Sequence, residues 1–72
     1  MAKSKIEMSV EGMTGEGVVR SIETSLSGVK GVDYAHVNLG AGKISVEFDD
    51  SVASADQIIG SVEGLGFHVL QL

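Results

Sequence analysis

Cysteine is absent from all 72 residues, so neither a disulfide framework nor a thiolate zinc or iron–sulfur site can support the fold. Folding must rest on packing alone, in a chain short enough to bury only about 60% of its unfolded surface. No apolar run approaches the roughly 20 residues needed to cross a bilayer, and the opening MAKSKIEMS lacks the apolar core of a secretory signal. A cytoplasmic protein without membrane insertion is expected. Basic charge is scarce as well. Five Lys and Arg against ten Asp and Glu leave a net charge of −5, and Lys3, Lys5, Arg20, Lys30 and Lys43 do not cluster as a phosphate-tracking patch would. Nucleic acid is not expected as a partner, and the acidic balance reads first as a solubility feature.

Catalytic signals are also missing. The hydroxyls and acids are scattered over expected outer faces, no Ser-His-Asp or paired-carboxylate arrangement can be assembled, and so small a domain offers no deep pocket. The chain does not read as an enzyme. Asp33, Asp49 and Asp50 lack the D-x-D-x-D-G spacing of a calcium loop and read as solvated turn carboxylates. Gly15 and Gly17 at a helix entrance could present free N–H groups to an anion, but Glu16 between them opposes it and the longer dinucleotide fingerprint is missing.

What is present is globular: 43% apolar and 21% charged residues argue against a disordered acidic tail and for a small but real core in one domain, residues 1–72. Ile6, Met8 and Val10 alternate with Lys5, Glu7, Ser9 and Glu11, the pattern of a strand with one wet face. Beyond GMTGEG, the residues Val18, Val19, Ile22, Leu26 and Val29 recur at three- and four-residue intervals, predicting an amphipathic helix with Thr14 as N-cap, Glu16 in its first turn and Gly28 or Gly31 at its end. Val32, Ala35, Val37 and Leu39 suggest a second strand, regular from Ala35 onward. Gly40-Ala41-Gly42 then turns tightly into a third, with Ile44, Val46 and Phe48 on one face. Ser54 can cap a second helix whose inward stripe is Ile58, Ile59, Val62 and Leu65, stopped by Gly64 and Gly66. Phe67 to Leu72 is too short for another helix and is assigned to a fourth strand. The order β-α-β-β-α-β gives an α+β, ferredoxin-like sandwich, a four-stranded antiparallel sheet with both helices on one face. The tetrapeptide SVEG occurs at Ser9 to Gly12 and at Ser61 to Gly64, once at a strand end and once at a helix end, so the repeat is coincidental.

With Gly12-Met13-Thr14 ahead of Val18-Val19 and Ile22-Glu23, then Gly31-Val32, Val37-Asn38-Leu39 and Leu65-Gly66-Phe67, the chain resembles the heavy-metal-associated domains of copper chaperones and of the N-terminal regions of metal-pumping P-type ATPases. Members typically read G-M-T-C-x-x-C-V followed by an I-E or V-E pair; here Gly12-Met13-Thr14-Gly15-Glu16-Gly17-Val18-Val19 precedes Ile22-Glu23. Gly31-Val32 to Val37-Asn38-Leu39 is similar to the family's G-V-x-x-x-x-V-N-L strand. Ile44 to Phe48 with Asp49 is similar to its V-x-F-D element, and Leu65-Gly66-Phe67 to its L-G-F ending.

The resemblance implies the same β-α-β-β-α-β fold and a role in metal transport, with one departure. Gly15 and Val18 stand where the family carries its two cysteines, and neither can ligate through its side chain. Thiolates are what select Cu(I) and other soft ions, so no cofactor is expected for this chain, whereas Cu(I) or another soft metal is implied for cysteine-bearing relatives. Met13 is the position where the family's methionine packs under the loop, a core anchor before a ligand. His68 follows Phe67 near that loop and is a weak candidate ligand without a second donor; His36 belongs to the solvent face of its strand. The family's partners meet around the metal loop, which implies a docking surface of Gly12, Met13, Thr14, Gly15, Glu16, Gly17, Val18 and Phe67, with a P-type ATPase or a cognate metal-binding domain as partner and the chain itself monomeric. Two alternatives stay open: a metal-independent docking or regulatory module, and an engineered scaffold on the same fold.

Overall fold

The computed structural model describes residues 2–71, ordered as β1 (Lys3–Glu11), α1 (Gly15–Ser27), β2 (Val32–Asn38), β3 (Lys43–Asp49), α2 (Ala55–Glu63) and β4 (His68–Gln71). All strand pairs are antiparallel, and the sheet order is β2-β3-β1-β4. The two β-α-β halves therefore interleave, with β1 and β3 in the centre and β2 and β4 at the edges.

The period-2 pattern sets the register. Ile6 lies opposite Val46 and Met8 opposite Ile44, so the apolar rows of β1 and β3 share one face, while Lys5 opposite Glu47 and Glu7 opposite Ser45 share the other. The apolar row meets Ile22 and Leu26 of α1 and Ile58 and Val62 of α2 in a single buried cluster that also holds Val10, Val37, Phe48 and Ala53. Both helices must cover the same side of the sheet for that cluster to close. Among the described residues no buried side chain is polar or charged, so burial there carries no desolvation cost.

Several element ends differ from the sequence-based expectation, at both helix ends because a glycine intervenes. α1 stops at Ser27 with Gly28 as C-cap, so Val29 lies in the following turn rather than on the helical stripe. α2 stops at Glu63 with Gly64 as its cap, and Leu65, expected to point inward, is exposed. A three-residue spacing continues a helical stripe only while the backbone stays helical. Leu39 falls in the hairpin turn, where the Ala41 N–H donates to Asn38 Oδ1 at 3.1 Å and the Gly42 N–H to the Leu39 carbonyl at 3.2 Å. Phe67 precedes β4 instead of belonging to it, and Leu72 lies outside the described residues. The irregular start of β2 has a cause: the β2–β3 register shifts between Val32 and Tyr34, after which Ala35 and Val37 alternate inward.

Candidate functional site

β1 ends at Glu11, and three residues carry the chain over the end of the sheet into α1. Gly12 turns it with φ +90, and a Cβ built there would sit 3.7 Å from the Phe67 ring, so the aromatic side chain lies against this glycine. Met13 and Phe67 are partly buried and pack on the core, which ties the loop to the segment before β4. Thr14 occupies the N-cap position in an extended conformation, φ −141 and ψ 129, but its hydroxyl makes no capping hydrogen bond. The expected cap is right in place and absent in contact.

Gly15 opens α1 with φ +80, a left-handed conformation that L side chains rarely adopt. A Cβ at this position would meet nothing within 4 Å, so the constraint is conformational and not spatial. The sequence does not reveal this conformation, because a glycine at a helix entrance gives no sign of which φ it adopts. Val18, one turn on, is partly buried and packs against the core with Val19. Glu16 and Gly17 are exposed. The loop thus presents backbone, one carboxylate and an apolar side chain, and neither Gly15 nor Val18 supplies a side-chain donor to a soft ion. Exposed Leu65 belongs to the Gly64-Leu65-Gly66 turn just ahead of Phe67, an apolar contribution to this end of the molecule that the helical stripe conceals in the sequence.

The remaining candidates are dispersed. His68 is exposed on β4 and lies opposite Glu11 of β1. His36 is exposed on β2 opposite Ser45. Lys3 is bound to Asp33, and the contact raises the lysine's pKa. Asp49 Oδ1 accepts from the hydroxyl and the backbone N–H of Ser51, and these two donors hold its carboxyl below the ordinary value. Tyr34 lies opposite Glu47 on β3, and the neighbouring carboxylate raises its phenol's pKa. Among the described residues, no group of three or more His, Asp or Glu side chains converges as a metal site would require.

This frame has close relatives. Over 62 residues the chain is 40% identical to the copper chaperone CopZ of Bacillus subtilis, covering 86% of this chain and 90% of that protein. It is 38% identical over 63 residues to human copper-transporting ATPase 2, but spans only 4% of that much longer protein. The solved structure of a CopZ metallochaperone superposes with a TM-score of 0.91 at 34% identity, over 93% of this chain and 100% of that one. Residues 7–68 match the profile of the heavy-metal-associated domain, from the middle of β1 to the start of β4, and the chain therefore belongs to the heavy-metal-associated domain family.

Proposed function

We propose that this chain is a single-domain, cytoplasmic module of the metal-trafficking kind, chaperone-like or cut from the N-terminal region of a transport ATPase, in a form that does not hold Cu(I) tightly. The observation that carries the reading is the pair Gly15 and Val18 in an otherwise matching frame. Thiolate donors make such a loop selective for soft ions, and here one position has no side chain while the other presents a hydrocarbon packed on the core. The module does no chemistry of its own. Its partner is a P-type ATPase or a cognate metal-binding domain, met through Gly12 to Val18 and Phe67. Titration of Cu(I) against a competing chelator tests the reading, and sub-micromolar one-to-one binding would sink it.

A metal-independent docking or regulatory role is the second reading. It is favoured by the apolar character of the loop end, where Val18 and Phe67 lie partly exposed and Leu65 is exposed. A heteronuclear NMR titration with an ATPase metal-binding domain tests this second reading. Shifts at residues 12–20 without added metal support docking, and their absence removes it.

A further inference from the structure

The sheet has two edges, and they are guarded differently. β4 is a short edge of four residues, whereas β2 is seven residues long, VDYAHVN, with neither the lysine nor the proline that commonly blunts an edge. Its single charge, Asp33, lies at the strand's start and is bound to Lys3.

Beside this edge, on the helix side of the sheet, runs a groove of about 360 Å³ between α1 and the β2–β3 hairpin. Val19, Val37 and Leu39 give it an apolar floor, and Glu16, Arg20 and Glu23 form the rim. These three charges follow at four- and three-residue intervals along one helix face, a spacing that favours internal ion pairs. Yet none of them belongs to an ion pair among the described residues, whose pairs are Lys3 with Asp33 and Lys43 with Glu7.

We infer that this groove and the β2 edge together bind an extended segment of another protein, which adds to β2 as a further strand and presents an apolar side chain flanked two positions away on each side by lysine or arginine. Strand addition satisfies the outer N–H and C=O groups of β2, and the groove receives the alternate side chains. The spacing is matched. Glu16 and Glu23 are seven residues apart on a helix, about 10.5 Å along its axis. Side chains four residues apart on one face of a strand are about 13 Å apart, a difference that flexible basic side chains absorb. Between the two carboxylates, Arg20 is placed to donate to the segment's backbone carbonyls. A second copy of this chain is a poor occupant because each copy carries a net charge of −5, and the same charge opposes nucleic acid and anionic membranes. The inference goes beyond the proposed function and does not depend on metal, since neither Gly15 nor Val18, the positions that carry the thiolates in cysteine-bearing relatives, lines the groove.

The test is an amide NMR titration of the whole chain with a capped synthetic peptide, Thr-Lys-Thr-Leu-Thr-Lys-Thr, and with its counterpart carrying Glu for both Lys. Saturable shifts at residues 32–39 and along 16–23 are expected with the lysine peptide, with slowed hydrogen exchange in β2 and weakening at higher salt. The glutamate peptide should bind at least about tenfold more weakly, as should the lysine peptide to the E16K/E23K variant. No binding, equal binding of both peptides, shifts confined to residues 12–15 and 64–68, or concentration-dependent shifts in β2 without peptide would each overturn the assignment. The peptide swap requires no mutation and so decides even if the variant fails to fold. Cu(I) titration is independent of all these readouts, so this inference and the proposed function can fail separately.

Discussion

Gly15 and Gly31 share a left-handed backbone, with φ of +80 and +98, but not an environment. At Gly15 an added methyl meets open space, so Gly15→Ala should cost only the backbone term of about 1 kcal/mol. At Gly31 the same methyl would stand 2.9 Å from Ala53 Cβ and 3.0 Å from Val52 Cβ. Chemical denaturation should therefore show Gly31→Ala losing more than about 2 kcal/mol, the backbone term plus a steric one. Equal losses at the two sites would mean that the close approach of the 28–31 turn to Val52 and Ala53 is not maintained. Asp49 offers a prediction of a different kind. Its carboxyl is held low, first by the Ser51 hydroxyl at 2.5 Å and then by the Ser51 N–H at 3.0 Å. A carboxyl depressed in the folded state stabilises the fold above its unfolded pKa, and that contribution disappears as pH falls through the folded value. Ser51→Ala removes the stronger donor. The Asp49 pKa, followed by carbon-detected NMR, should rise toward its ordinary value, and acid unfolding should begin at a higher pH than in the parent. An unchanged titration would show that the hydroxyl does not bond the carboxylate in solution.

The two helices begin differently, and their N-termini should respond differently to the same substitution. At α2 the Gln57 N–H donates to Ser54 Oγ at 3.2 Å, while Gln57 Oε1 accepts from the Ser54 N–H at 2.9 Å, a reciprocal capping box. At α1 the Thr14 hydroxyl caps nothing. Ser54→Ala should thus cost about 1 kcal/mol in denaturant unfolding, whereas Thr14→Ala should stay within about 0.5 kcal/mol of the parent. A matching loss at Thr14 would mean that its hydroxyl reaches an N–H of the first turn after all. The contrast marks what residue types alone reveal. Alternation in β1 and β3 and the stripe Val18, Val19, Ile22 and Leu26 predict element types and inward faces, because burial on one face imposes a period that side-chain polarity displays. Val29 and Leu65 extend those stripes numerically past glycines that have already ended the helices. The loop is legible as a candidate site through its spacing and the residues missing from it, but not through Gly15's φ, which leaves no trace in residue type. The groove is less legible still, since Glu16 and Leu39 become neighbours only when α1 is laid along the edge strand.

At the scale of the whole molecule, stability rests on one apolar cluster shared by both helices and three strands, with no disulfide to support it. In such a fold any ligand that binds the native state and not the unfolded chain must raise the melting temperature, by about 4 kcal/mol of stability when present at a thousand times its dissociation constant. For a domain of this size that corresponds to a rise on the order of 20 °C. Cu(I) should produce no such rise in the chain as it stands, because Gly15 and Val18 offer it no donor. The G15C/V18C variant should behave oppositely in both conditions. Without metal it should melt lower than the parent, since a side chain at position 15 must tolerate or escape φ +80, and replacing Val18 by a thiol gives up part of the valine's hydrocarbon packing. With Cu(I) it should recover that loss and exceed it, because two thiolates bind the ion far more strongly than about 1 kcal/mol of loop strain opposes it. Calorimetry of both proteins with and without Cu(I), under reducing conditions, separates the possibilities. A metal-dependent rise in the parent defeats the silenced site, and no rise in the double variant means that the loop has lost more than its sulfur.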